Sequence, residues 1–498
     1  MTTVTEFNPG SGPLTPVTFA RGNGIGPEIM DATLLILKEG GARLALEEIE
    51  IGEAVYLRGV SAGIEDSSWD SLRRTQVFLK APITTPQGGG FKSLNVTARK
   101  TLGLFANIRP CVSYSPFVQT KHPVMDVVIV RENEEDTYGG IEYRQTRDVE
   151  LCLKLITRPG CEKIVRYAFE YAKANGRKKV TCFTKDNIMK RTDGLFHRVF
   201  EEVSAQYPDI AHEHWIVDIG AARLADTPER FDVIVMPNLY GDILSDVAAQ
   251  IAGSVGLAGS ANIGDHCAMF EAIHGTAPDI AGKNLANPSG LLLGSVQMLQ
   301  HIGQGDVAQR IHNAWLRTIE DGQHTGDIWS AEHSQAKLGT REFAQAVVAR
   351  LGQEPQMLKA VHYATESNQL AGFKWYDPAT AGHPQKELCG ADVFLEWEGG
   401  SPDELGEQLS RANGDGIRLT MISNRGTKVW PHGHPDTFCV DHWRCRFLLD
   451  TRQGDLAVGN RAIAALLGRV TDVGLEFIRH EGLYAYDGER AYSLSQGE

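Results

Sequence analysis

Through roughly the first 340 residues, short apolar runs alternate with amphipathic stretches at helical spacing. Pro16–Ala20, Val77–Lys80, Val127–Val130, Val180–Thr184 and Phe231–Pro237 read as strands. Glu28–Lys38, Gly160–Ala174, Gly194–Tyr207 and Ile243–Ser254 read as helices. Strands alternating with helices imply βαβ units and a largely parallel sheet, hence an α/β fold. Between Gly352 and Pro384 the pattern dissolves into polar, Gly and Pro residues, as a connector would. From Leu388 it resumes in another order. The run VFLEW, then Arg418–Trp430 and Trp443–Leu449, read as strands; Asp403–Ala412 and Asn460–Val470 read as helices; Leu475–Leu494 returns to strand. This β-α-β-β-α-β order predicts a separate ferredoxin-like α+β domain.

Composition narrows the partners. A chain of 498 residues predicts about three domains. With 49 Lys and Arg against 63 Asp and Glu, its formal charge of −14 argues against nucleic acid or an anionic membrane as the main partner. A small anionic substrate stays compatible, because arginines can cluster locally. The first residues, MTTVTEFNPGSGPLTP, carry neither a basic nor an apolar segment of a targeting peptide, and Val247–Gly264 is too polar and glycine-rich to span a bilayer. Eight cysteines without a CxxC pair suit reduced thiols. A cytoplasmic protein is expected.

Several segments carry candidate chemistry. Gly22-Asn23-Gly24-Ile25-Gly26 follows a strand and opens a helix, but GxGxG is not the GxGxxG of a Rossmann phosphate site, and a tight strand-to-helix turn is the simpler reading. If Ser93 caps a helix, Asn95 and Arg99 share one face at i and i+4, where hydroxyl, amide and guanidinium suit a carboxylate or phosphate; an ordinary cap with a surface Arg is the alternative. Arg109 and Arg131 end apolar strands, where α/β sheets bind ligands, although neighbouring glutamates could hold them in structural ion pairs. Asp242 and Asp246 stand at i and i+4 after another strand, an all-oxygen pair suited to Mg²⁺ or Mn²⁺, or one capping and one solvated Asp. Residues 270–284 read as a ligand loop or plain surface. His432, His434, Cys439, His442 and Cys445 fit no zinc spacing and read as core or surface residues.

TTPQGGGFKSLNVTARK, FANIRP, VRENEEDTYGGIE, TKDNIMKRTDG, NLYGDILSD and HGTAPDIAGKN occur in one order. Through them, residues 15–345 resemble the β-decarboxylating dehydrogenases of 2-hydroxy-3-carboxy acids, the isocitrate/isopropylmalate dehydrogenase family, and most closely its isocitrate dehydrogenases. The C-terminal part resembles an extension of some longer bacterial members. The resemblance implies a non-Rossmann fold with an interrupted large domain (1–104 and 253–345) and a small domain (105–252) carrying a clasp near 138–157. A connector (346–385) and the C-terminal domain (386–498) follow. It implies that Ser93, Asn95, Arg99, Arg109 and Arg131 bind a tricarboxylate, and that Asp242 and Asp246 hold Mg²⁺ or Mn²⁺ with a partner subunit's copy of Asp218. Tyr138 and Lys185 would be the acid–base pair, Lys185 also crossing over in a homodimer. Thr84, Thr85, Asn187, Glu271, His274, Gly275, Thr276, Ala277, Asp279, Ile280 and Asn287 would face the cofactor.

The activity so implied is metal-dependent oxidative decarboxylation of isocitrate in the tricarboxylic acid cycle. Homoisocitrate, isopropylmalate or tartrate are alternative substrates, and a non-catalytic regulatory subunit is a further alternative. NADP-using relatives carry Lys-Tyr where this loop reads Asp279-Ile280, and residues 318–336 contain no Lys or Arg. NAD is therefore the expected coenzyme, because Asp279 would accept ribose hydroxyls and repel a 2′-phosphate.

Overall fold

The computed structural model describes residues 4–7, 12–84, 93–364, 375–376 and 382–498. Its contacts divide the chain into two compact units: residues 1–138 with 155–376, and residues 139–154 with 377–498.

The first unit is built on an eleven-stranded sheet. Its strands run, side by side, Val4–Phe7, Leu44–Glu48, Thr15–Ala20, Val77–Lys80, Ala268–Ala272, Gly259–Ile263, Ala106–Val112, Asp126–Glu132, Val233–Met236, Lys179–Thr184 and Ala211–Ile216. Toward both ends the pairs are parallel, as βαβ order predicts, except that the edge strand Val4–Phe7 runs antiparallel to Leu44–Glu48. The middle differs from the expected parallel sheet: Gly259–Ile263 pairs antiparallel with both neighbours, and Ala106–Val112 antiparallel with Asp126–Glu132. No helix separates the last two strands, so the connection that usually returns a chain parallel is missing. Val127 to Val130 are completely buried, which accounts for an apolar run without alternation. Helices Arg158–Ala174 and Ser289–His301 bury apolar faces against this sheet, and Gly26–Glu39 and Gly305–Glu320 join the same core cluster, packing on neighbouring helices.

The early glycine loop is a turn. Gly24 takes φ +59, and a Cβ there would meet the Thr276 carbonyl oxygen at 2.1 Å. Ile25 N–H donates to that same carbonyl at 2.9 Å. The loop therefore backs the 274–277 segment rather than cradling a phosphate itself.

The second unit has a six-stranded antiparallel sheet ordered Thr427–Trp430, Ile417–Asn424, His442–Gln453, Lys386–Glu396, Phe477–Tyr486 and Glu489–Arg490. With helices Pro402–Ser410 and Leu456–Asp472, its four long strands have the ferredoxin-like arrangement. Arg418–Trp430, read as one strand, is a hairpin: Arg425 and Gly426 take φ of 49 and 83, the positive values a two-residue turn requires. Ser401 and Glu404 close a capping box at the start of the first helix. The hairpin of Glu142–Arg144 with Glu150–Cys152 belongs to this unit. Thr146 Oγ1 donates to Asp441 at 2.7 Å, and Arg147 N–H to Glu396 at 3.0 Å. His432, His434, Cys439, His442 and Cys445 do not converge on a metal-sized space. Among the described residues no helix is long and apolar enough to cross a membrane.

Candidate active site

Register places the first two cations together. Asn107 stands opposite Arg131 on the central antiparallel pair, and Arg109, two residues on, shares its face. Helix Asn238–Ala252 leaves the adjoining strand and crosses that face. Arg131 Nε and Nη2 donate to Asn238 Oδ1 at 2.9 and 2.7 Å, and Nη1 donates to Asp242. Arg109 donates to Ser245 Oγ, lies 3.5 Å from Asp242, and donates to Asp246 at 3.2 Å. A Cβ on Gly241 would meet Arg131 Cγ at 2.5 Å, so only glycine lets the helix cross the arginine stem here. Tyr138 Oη donates to Asp242, and its ring lies 4.9 Å from the Arg131 guanidinium carbon.

A third cation enters from helix Leu94–Thr101. Ser93 occupies the N-cap position, exposed and without a side-chain cap bond, and Asn95 and Arg99 follow on one face. Buried Arg99 reaches Glu271 at 3.2 Å, and Lys80 Nζ lies 2.6 Å from the same carboxylate. Glu271 also accepts from Asn262 at 2.9 Å. This residue, expected at the cofactor, lies against Arg99 and Lys80. Lys80, Ser245 and Asn238 were missed; a lysine ending the apolar run VFLK was the available signal for the first.

The electrostatics favour a polyanion. Burial, then the charges of Arg109 and Arg99, push Arg131 down to about 10. Burial, then Arg99, lower Arg109. Burial opposes ionisation of Asp242, but Arg131, the Tyr138 hydroxyl and Arg109 outweigh it and hold this carboxyl low. Asp246 moves the other way, raised by burial against a weaker pull from Arg109. Burial, then the bond to Asp242, raise Tyr138. Among the described residues, Asn95 Oδ1, Arg99 Nε and Arg109 Nε are buried without a hydrogen-bond partner. Such atoms are costly unless a ligand satisfies them.

Lys185 and Asp218 form a separate group. Lys185 follows the strand Lys179–Thr184, and Asp218 opens the helix Val217–Asp226. Lys185 Nζ donates to Asp218 at 2.7 Å, with the Asp218 side chain 67% exposed. Within one chain Asp218 forms no metal-sized trio with Asp242 and Asp246. Asn187 is exposed beside Lys185.

The loop expected to face the coenzyme follows the strand Ala268–Ala272. Thr84 N–H donates to Asn23 Oδ1 at 3.0 Å, and its hydroxyl lies 3.4 Å from that of Thr276. His274 Nε2 is buried without a partner, and burial lowers its pKa, so the ring is neutral. Ala277 adopts φ 37, turning the chain into the short 3₁₀ helix Pro278–Ile280. Gly275 and Asp279 are exposed, whereas Asn287 is buried on Asp327 at 3.0 Å. Thr85 lies outside the described residues.

Comparison with known proteins agrees over both units. The family described as isocitrate/isopropylmalate dehydrogenase matches residues 16–347, and that described as bacterial isocitrate dehydrogenase, C-terminal domain, matches 386–498. A Rickettsia bellii protein named isocitrate dehydrogenase (NADP) is 54% identical over 484 residues, 97% of this chain and 99% of its own. A Thermus thermophilus protein of the same name is 43% identical, covering 97% and 96%. A crystal structure of a protein from Thermus thermophilus superposes with a TM-score of 0.89 at 42% identity, again covering 97% and 96%.

These names overturn the expectation of NAD as coenzyme. That expectation rested on Asp279 and Ile280 and on the absence of Lys and Arg from residues 318–336. In the structure Lys283 Nζ reaches back to the Asp279 carbonyl at 2.7 Å. Arg341, just beyond the cation-free stretch 318–336, is tied by its N–H to Asn284 Oδ1 at 3.0 Å. The Lys283 cation therefore lies at the loop, with the Arg341 backbone anchored next to it, and Asp279 alone does not define its charge.

Proposed function

The chain belongs to the isocitrate/isopropylmalate dehydrogenase family, and we propose that it oxidatively decarboxylates isocitrate to 2-oxoglutarate and CO₂ with reduction of NADP. The observation that carries this reading is that Arg109 and Arg131 meet on the Asp242–Asp246 helix with Arg99 near enough for its charge to act on both, Arg99 and Arg109 each keeping an unsatisfied buried nitrogen. Three guanidiniums suit a tricarboxylate, and Asn95, on the same helix face as Arg99, can offer its amide N–H groups to a carboxylate.

In this proposal Arg99, Arg109 and Arg131 grip two carboxylates while Ser93 and Asn95 read the third. The donor set of Asp242 and Asp246, with a partner subunit's copy of Asp218, is all oxygen, and the raised Asp246 carboxyl gains from a nearby cation; both fit Mg²⁺ or Mn²⁺. When bound, the metal would supply polarisation of the substrate hydroxyl and its carboxylate, and the nicotinamide would supply the acceptor for the hydride from C2. Lys185 Nζ assists loss of the hydroxyl proton, and Tyr138 Oη returns a proton to the carbon that loses CO₂. Thr84, Thr85, Asn187, the 274–280 loop and Asn287 face the coenzyme, with Lys283 and Arg341 toward its 2′-phosphate. Glu271 orients Arg99. The large- and small-domain division and a homodimer with shared sites belong to the same proposal.

The test is a substrate panel with NADP and Mg²⁺: isocitrate, homoisocitrate, isopropylmalate and tartrate. Isocitrate is expected to lead in kcat/KM. Preference for isopropylmalate would overturn the role of Ser93 and Asn95.

A further inference from the structure

Away from the arginine cluster, three side chains from three elements meet beside the strand Lys179–Thr184. Asp186 follows that strand, His197 sits on the helix Thr192–Ser204, and His214 on the neighbouring strand Ala211–Ile216. One potential ligand atom from each lies within 4.8 Å of the other two; among the described residues no other His, Cys, Asp and Glu group does this. His197 Nδ1 lies 2.7 Å from Asp186 Oδ2, and the two imidazoles stack with centroids 3.6 Å apart. The Asp186 side chain is 22% exposed and His197 28%, so the group is shielded yet reachable.

We propose that Asp186, His197 and His214 form a binding site for a transition-metal dication of the zinc type, separate from the oxygen-only Asp242–Asp246 pair. Two imidazoles and one carboxylate are the donor set such ions prefer, with water completing four-coordination. Outer partners are in place: Glu201 Oε1 lies 3.4 Å from His197 Nε2, and Thr184 Oγ1 lies 2.8 Å from His214 Nε2. Partners of this kind fix which ring nitrogen is left for a metal. They leave Nδ1 of both rings. A small rotation of each ring exchanges the stack and the Asp186–His197 hydrogen bond for three metal bonds.

Protonation favours this state. Burial, then His197, lower His214 and favour its neutral ring; burial opposes ionisation of Asp186, but the hydrogen bond from His197 leads the effects that together outweigh it. Because Asp186 directly follows Lys185, an ion here also anchors that strand end to a helix and the next strand. The metal site itself does not depend on the role proposed for Lys185.

The test uses the full-length protein stripped of metal and titrated with Co²⁺. Wild type is expected to develop the intense visible bands of four-coordinate Co²⁺, to lose them to Zn²⁺, and to keep them in excess Mg²⁺. The H197N/H214N variant should lack the bands and, with only Asp186 left at this site, bind Co²⁺ there at least about 10-fold more weakly. Zinc should raise the melting temperature of wild type and not of the variant. Bands absent from wild type, or equal in the variant, would overturn the proposal and leave a stacked histidine pair with an aspartate partner. Pulsed EPR of Cu²⁺-loaded wild type needs no variant: coupling to two imidazole nitrogens supports the site, and coupling to fewer contradicts it.

Discussion

The arginine face and the Lys185–Asp218 pair present the same kinds of groups in opposite states. On the first, Arg131 is fully buried, and its contacts to Asn238 and Asp242 hold it against a helix that Gly241 allows close. On the second, Asp218 is mostly exposed and contacts Lys185 from the same chain. A buried ion pair is strongly coupled to folding, because removing one partner strands the other away from water. An exposed pair is worth little to stability. The difference teaches that one chain builds an arginine face into its core and leaves the Lys185–Asp218 pair on its surface, the arrangement that the proposed shared site would need.

The sharpest way to break the comparison is to remove one aspartate from each region. Asp242→Asn is expected to lower kcat by about 10³-fold or more and, by stranding Arg131, to cost about 3 kcal/mol of stability. Asp218→Asn should lower kcat strongly while leaving the melting temperature unchanged. Parallel activity and calorimetry on both variants check this; equal stability losses would erase the contrast.

Subunit mixing extends it. D242N and Lys185→Met proteins, each inactive alone, are unfolded and refolded together. Random pairing puts about half the chains in mixed dimers with one intact site each, so about a quarter of wild-type activity should return. No recovery would place both groups of residues in one chain's site.

Smaller effects are expected beneath the arginine face. Glu271→Gln leaves Lys80 and Arg99 unbalanced, raising KM for isocitrate and costing about 3 kcal/mol near neutral pH. Because the folded-state pKa of Glu271 is depressed, its stabilisation is present above the unfolded carboxyl value of about 4.3 and is lost as pH falls below it. Burial alone would raise this pKa, but Lys80 and Arg99 outweigh it. The gap between wild type and variant in acid melting curves should therefore narrow below about pH 4. At the coenzyme loop, Lys283→Ala with Arg341→Ala is expected to raise KM for NADP by about 10-fold, the order of one charge-assisted contact, with little change in the melting temperature. An unchanged KM would free those cations from the 2′-phosphate.

Much of this contrast was legible along the chain. Arginines ending apolar strands and an i, i+4 aspartate pair are local signals, and antiparallel register and helix geometry convert them into a cluster. The ferredoxin-like order was legible for the same reason, since each element carries its own period. What was not legible depends on pairing between distant segments. The antiparallel centre of the sheet follows from a helix-free connection, and Lys80 meets Glu271 only because their strands are neighbours. The coenzyme expectation failed similarly: Lys283 folds back on Asp279, and Arg341 is brought in through Asn284, neither visible in a two-residue motif. Asp186, His197 and His214 come from three elements with no recognisable spacing.

The most direct test of the central claim is the initial rate of purified protein with isocitrate, Mg²⁺ and NADP, read by the near-ultraviolet absorbance of the reduced nicotinamide and by enzymatic assay of 2-oxoglutarate. The account predicts NADPH and 2-oxoglutarate forming in equal amounts, with the rate lost on removing the metal. No NADP reduction by folded protein, or reduction without 2-oxoglutarate, would contradict it.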